Sequence, residues 1–252
     1  MELKNTGKLR ILCLHGTYNN NRVMQHMLAY YEDIFKDFVE FTYLQAPHEW
    51  TTIFDQKIYE RFKGDKFYTW IDIVSEQKFN AIITYQQSVN FVVEFLNSND
   101  PFDGILTFSQ SHYISRWIFK TSEMEMALTE WQKLPSFLIF ISSGIFKSYD
   151  PPSLRSNFGV PTLYIYDPKD TVLKSNDWVI KEGDYTEIQH DKNHTIPKLS
   201  GEKLQTFIDF LSRQYFTKFG VKIVLTPSID KNFVIKSSKV SEAATIKYIS
   251  KL

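Results

Sequence analysis

Three residues in this sequence have types and an order that could carry out acyl transfer: Ser109, Asp170 and His194. A serine hydroxyl is a weak nucleophile and needs a histidine within hydrogen-bond reach to take its proton. A buried acid then fixes the histidine tautomer and stabilises the imidazolium, and backbone N–H groups receive the oxyanion. Ser109 lies in Thr107-Phe108-Ser109-Gln110-Ser111, straight after an apolar run. A strand-to-helix turn there would expose the hydroxyl and aim the Gln110 N–H at an oxyanion. Asp170 ends Asp167-Pro168-Lys169-Asp170, and His194 ends the stretch that begins at His190. Taken singly, each has a plainer reading: a helix N-cap serine, a turn aspartate and a surface histidine.

Residues so far apart meet only if regular elements carry them to one place. Apolar, strand-like runs occur at 9–14, 38–44, 102–108, 137–142 and 161–167, with a weaker one at 185–190. Helix-length segments alternate with them at 20–35, 82–97, 111–120 and 201–216. In the first helix, Val23, Met27, Tyr30, Tyr31 and Ile34 form one apolar side. The alternation predicts a mostly parallel sheet with helices on both faces. Such a sheet places its site beyond the carboxyl ends of its strands, which is where His15-Gly16-Thr17, Ser109, Ser142-Ser143-Gly144, Asp170 and His194 fall. Serine, acid and histidine also follow the chain order of the α/β-hydrolase triad. Residues 50–80 are aromatic-rich, with Trp50, Phe54, Tyr59, Phe62, Phe67, Tyr68 and Trp70, and read as core packing or as a wall for an acyl group. The core domain is expected to span residues 1–216. Residues 217–252 are an appendage, with a hairpin formed by 221–226 and 232–236 and a helix over 241–251 capped by Ser241.

Composition narrows the choice. The 252 residues are 43% hydrophobic and 23% charged, with 29 basic residues against 29 acidic. That is a globular balance and not that of a nucleic-acid-binding chain. No apolar run reaches the roughly 18 residues that a spanning helix needs, and Met1 to Arg10 has no signal-peptide core. A soluble, cytoplasmic protein is the expectation. The single cysteine, Cys13, excludes a disulfide framework within the chain. No histidine spacing fits a metal site, and no Gly-rich phosphate loop occurs, so no metal and no cofactor are expected.

Four blocks resemble the FSH family of small serine hydrolases, over about residues 8–213. They are Leu14-His15-Gly16-Thr17-Tyr18-Asn19-Asn20-Asn21, Tyr43-Leu44-Gln45-Ala46-Pro47-His48-Glu49, the elbow from Pro101 to Ser111, and His190-Asp191-Lys192-Asn193-His194-Thr195-Ile196-Pro197. The resemblance implies an α/β-hydrolase fold that cleaves carboxylic esters, and by extension thioesters, without a cofactor. It implies Ser109 as nucleophile, Asp170 as acid, His194 as base, and the N–H groups of Thr17 and Gln110 as the oxyanion hole. The sequence departs from the family pattern at the glycines. Thr107 and Ser111 flank the nucleophile, where β-branched Thr107 is expected to strain the sharp elbow, and Lys192 and Asn193 replace the pair before His194. Asp167 replaces Gly and is expected to repel Asp170 or to substitute for it. Bulky His112 and Tyr113 stand where the family has small residues, Gln45 replaces Asp, and Thr17 replaces a bulkier residue. Crowding at the elbow is therefore expected to displace the helix that follows it. The adopted reading is a serine hydrolase acting on small-molecule esters of apolar acyl groups. The alternative is a catalytically impaired hydrolase fold that serves as a subunit, with the C-terminal extension as the contact to a protein partner.

Overall fold

The structure is a computed structural model that describes residues 7–51, 55–72, 78–122, 134–143, 158–172, 184–227 and 233–239. Its centre is a six-stranded sheet of β1 (Leu9–Leu14), β2 (Val39–Leu44), β5 (Gly104–Phe108), β6 (Phe137–Ile141), β7 (Thr162–Tyr166) and β8 (Tyr185–Gln189). The order is β2-β1-β5-β6-β7-β8 and every pair is parallel. Strands β5 and β6 are buried at every position, as strands covered on both faces must be.

Alternate residues of the strands feed two cores. Ile11, Cys13, Leu106, Phe108, Ile139 and Ile141 face α1 (Asn21–Phe35) and α5 (Gly201–Phe219), where Met24, Leu28, Tyr31, Phe35, Phe207 and Leu211 are buried. Leu12, Leu14, Ile105, Leu138 and Phe140 face α3 (Lys78–Ser98) and α4 (His112–Ser122) through Val89, Val92, Leu96, Ile114 and Ile118. The buried stripe of α1 is broader than the apolar side expected from the sequence. Met24, Leu28 and Phe35 lie against the sheet, while Met27 and Tyr30 are only partly buried at its edge.

The chain starts in β1, moves outward to β2, and later returns to the other side of β1 as β5. The sheet therefore has its topological switch point between β1 and β5, where open α/β sheets bind their ligands. The aromatic segment resolves into three short elements, β3 (His48–Trp50), α2 (Gln56–Arg61) and β4 (Phe67–Thr69), with β3 and β4 antiparallel. Phe54 lies outside the described residues. After α5, Gly220 closes the helix in the left-handed region at φ 64°. Strands β9 (Val221–Pro227) and β10 (Phe233–Lys239) then pair antiparallel as a separate two-stranded sheet. Val221 and Ile223 are buried in the core on the α5 side. The expected tip of that hairpin beyond Pro227 and the helix over 241–251 lie outside the described residues. Among the described residues, no helix is long and apolar enough to cross a membrane.

Candidate active site

The polypeptide turns sharply at the end of β5. Phe108 is still extended, and Ser109 enters the left-handed region at φ 56°. One 3₁₀ turn, Ser109–Ser111, leads into α4. A positive φ at a non-glycine residue is costly and recurs where a nucleophile must be exposed. The sequence put the strain on β-branched Thr107, but Thr107 is an ordinary buried strand residue in register with Leu14 and Phe140.

The three distant residues meet here. His194 Nε2 lies 2.8 Å from Ser109 Oγ, and its Nδ1 lies 2.7 Å from Asp170 Oδ2. With the ring proton on Nδ1, His194 donates to Asp170 and accepts the serine hydroxyl. The Asp170 side chain is fully buried and that of His194 is partly exposed to the cavity. The second oxygen of Asp170 accepts the Val172 N–H at 2.9 Å. The ring of Phe108 lies 5.3 Å from that of His194, centroid to centroid.

The loop after β1 passes directly against the elbow. A Cβ on Gly16 would stand 2.8 Å from the Phe108 ring and 3.3 Å from Ser109 Cβ, so only glycine permits this approach. It brings Thr17 and Gln110 to line the same cavity as Ser109. His15 holds the loop. Its buried ring donates from Nδ1 to Gly16 O at 2.7 Å, and accepts at Nε2 from the Ala46 N–H at 3.1 Å and Gln45 Nε2 at 3.0 Å. Gln45, the departure from the family Asp, also accepts the Asn21 N–H at 3.2 Å. Burial pushes the His15 imidazole down to about 4, so it stays neutral in this role. Trp70 Nε1 donates to His15 O at 2.7 Å. The Gln110 side chain is locked as well: its Oε1 accepts from Thr69 Oγ1 and from the N–H groups of Trp70 and Ile71, at 3.0–3.1 Å.

Several departures from the family pattern are built into the site. Ser111 Oγ accepts the Phe108 N–H at 3.1 Å and lies 2.8 Å from Leu14 O, joining the ends of β1 and β5. His112 does not push the helix away. Its ring is buried, and Nδ1 donates to Ser109 O at 2.7 Å. Burial, and then the Arg116 charge, drive its pKa down to about 3. Asp167 neither crowds nor replaces Asp170. It accepts the N–H groups of Lys169 at 2.8 Å and Asn193 at 2.7 Å, and the former bond leads in holding its carboxyl below the usual range. Asn193 keeps the left-handed geometry of a glycine, at φ 58°, and its Oδ1 accepts the Thr171 N–H at 2.8 Å. Ser142 Oγ donates to Thr195 O at 3.0 Å. The histidine loop is thus tied to the ends of β6 and β7 by side chains.

A cavity of about 690 Å³ opens at Ser109 and His194. Val23 and Met27 of α1, Ile58 of α2, and Phe62, Ile71 and Tyr113 supply apolar lining, with Lys57 and Arg61 exposed at the edge. The aromatic segment therefore contributes both a wall, through Ile58 and Phe62, and core packing, through fully buried Trp70. The tethers from His15, Ser142 and Asn193 were not assigned from the sequence. Only Asn193 carries a local signal, since Asn tolerates the left-handed region. Among the described residues, no His, Cys, Asp or Glu group forms a metal-binding cluster.

Comparison with known proteins agrees with this architecture. A relative named Esterase OVCA2 from Danio rerio is 25% identical, across 81% of this chain and 97% of its own. Esterase C25G4.2 from Caenorhabditis elegans is 24% identical, across 78% and 90%. Esterase CG5412 from Drosophila melanogaster is 24% identical, across 83% and 76%. Among solved structures, Zea mays acyl-protein thioesterase 2 superposes with a TM-score of 0.54 at 15% identity, covering 84% of this chain and 96% of that one. Esterase PE8 superposes at 0.52 with 18% identity, covering 84% and 95%. These two share the α/β-hydrolase fold. Residues 4–206 match the family described as Serine hydrolase (FSH1), and the chain belongs to that family.

Proposed function

We propose that the protein cleaves carboxylic esters of apolar acyl groups, and thioesters of the same acids, through Ser109, His194 and Asp170. The carrying observation is the unbroken hydrogen-bond chain from Asp170 through His194 to Ser109, at 2.7 and 2.8 Å, at the mouth of the 690 Å³ cavity. Ser109 Oγ attacks the ester carbon as His194 Nε2 takes its proton, and the imidazolium is stabilised by Asp170. The carbonyl oxygen becomes an oxyanion held by the N–H groups of Thr17 and Gln110. The Gln110 N–H lies in the first turn, before helical hydrogen bonding starts, and is available for that purpose. Collapse of the intermediate breaks the bond to the alkoxide or thiolate, which leaves with the proton from His194. Water, deprotonated by His194, then attacks the acyl-serine, and collapse returns the carboxylic acid and Ser109. The proton transfers run through His194, and water is the one co-reactant.

Val23, Met27, Ile58 and Phe62 favour an apolar acyl chain, since each buried methylene contributes about 0.8 kcal/mol. The intact contacts around the altered elbow favour catalysis over the alternative of a disabled subunit. The test is labelling by a fluorophosphonate probe, followed by hydrolysis of p-nitrophenyl esters of increasing acyl length. Wild-type protein is expected to label and to prefer longer acyl chains, and Ser109→Ala to lose both activities. Labelling that persists in Ser109→Ala, or no labelling of folded wild-type protein, would overturn the proposal.

A further inference from the structure

Beside the main cavity lies a second one, of about 220 Å³, which no step above uses. The two share Tyr18, Asp55 and Ile58 in their linings, so they adjoin. The small cavity is below the roughly 300 Å³ where pockets for whole drug-sized ligands begin. It suits a head group. Its walls hold four rings from four segments: Tyr18 after β1, Trp50 of β3, Tyr59 of α2 and Phe67 of β4. Register sets Trp50 opposite Phe67. Tyr18 and Trp50 are tilted at 52° with centroids 4.8 Å apart, and Tyr59 and Phe67 at 38° with centroids 6.3 Å apart.

Three carboxylates also line it, Glu49, Asp55 and Asp65, against one ammonium, Lys66. With Arg22, which pairs with Asp65, counted beside Lys66, the lining keeps one net negative charge. The carboxylates are already engaged: Glu49 by Lys66 at 2.9 Å, Asp65 by Arg22 at 2.7 Å, and Asp55 by the N–H groups of Lys57 and Ile58 at 2.8 and 3.2 Å. A primary ammonium would have to share these carboxylates with the partners they already hold. A quaternary ammonium wants no acceptor, is weakly hydrated, and is drawn to ring faces and negative potential.

Building on the ester hydrolysis proposed above, we infer that this cavity is an alcohol-side subsite for a quaternary ammonium group, and that choline-type esters are preferred substrates. The acyl chain fills the main cavity and the trimethylammonium group the aromatic one.

The experiment compares kcat/KM for butyrylcholine and its uncharged carbon isostere, 3,3-dimethylbutyl butyrate. A cation–π contribution of about 0.5–2 kcal/mol corresponds to roughly a 2- to 30-fold preference for butyrylcholine. Trp50→Leu and Phe67→Leu should each bring the ratio towards one while hydrolysis of the neutral ester persists. A wild-type ratio of one or less, with the neutral ester turned over, would overturn the inference and leave the hydrolase reading intact. If neither ester is hydrolysed, the hydrolase reading is judged by the labelling test above, and choline binding to Ser109→Ala protein, followed by tryptophan fluorescence, decides the subsite by itself. Quenching that Trp50→Leu abolishes supports it, and no quenching overturns it.

Discussion

Thr107 Oγ1 is buried within β5 and has no hydrogen-bond partner among the described residues. An unpaired buried hydroxyl costs free energy that an isosteric methyl does not. Thr107→Val is therefore expected to raise stability by about 1 kcal/mol, read as a higher urea midpoint at unchanged m-value. An unchanged or lower midpoint would show that the hydroxyl is satisfied in solution. Ser109, Asp170 and His194, which the structure brings together, were legible as a candidate set because their residue types are restrictive and each follows a strand. Asp167 was not. It read as a rival to Asp170, because its partner Asn193 is distant along the chain and a side-chain-to-backbone bond leaves no pattern in sequence.

At the scale of elements, the loop that carries His194 shows how lost glycines are replaced. Asn193 supplies the left-handed conformation and a bond to Thr171. Alanine there would keep neither, and the conformation alone costs a non-glycine residue about 1–2 kcal/mol. Asn193→Ala is thus expected to be less stable than Asn193→Gly by about 1 kcal/mol, measured by chemical denaturation. Equal stability of the two variants would remove backbone strain as the reason for Asn. The six sheet strands and their helices were legible, because long apolar periods survive any local detail. The segment holding β3, α2 and β4 was not. Its strands are only three residues long and the helix has six, too short for a period to emerge.

For the whole molecule, the buried imidazoles set the response to acid. In the unfolded chain His15 and His112 titrate near 6.5, whereas the fold lowers them to about 4 and about 3. The unfolded state binds more protons in that interval, so folding is favoured fully above pH 6.5 and progressively less as pH falls towards 3. Each ring contributes a slope of about 1.4 kcal/mol per pH unit once well below 6.5. The urea midpoint should fall between pH 6.5 and 4.5, and His112→Asn, which keeps a donor for Ser109 O, should reduce the slope by about 1.4 kcal/mol per pH unit, while His15 and His190, also lowered by burial, keep theirs. A slope indifferent to that substitution would exclude His112 as its source. The extension beyond α5 adds a second, smaller sheet, anchored by Val221 and Ile223. Its alternating pattern was readable, but which surface it would cover was not, because the direction in which a strand leaves the helix before it has no signature in the apolar pattern.

The hydroxyl that bridges β1 and β5 at Ser111 bears on how such a chain would be engineered. Replacing unusual residues by those common among relatives is a general route to stabilisation. Here Ser111→Gly would follow that rule and break two contacts at the switch point, to Leu14 O and the Phe108 N–H, while adding backbone freedom to the unfolded chain. The expected result is a loss of about 1–2 kcal/mol in chemical denaturation. A gain would mean that the elbow tolerates the family's glycine unaided. The residue that looks like decay is, in this chain, a local remedy that averaging over relatives would erase.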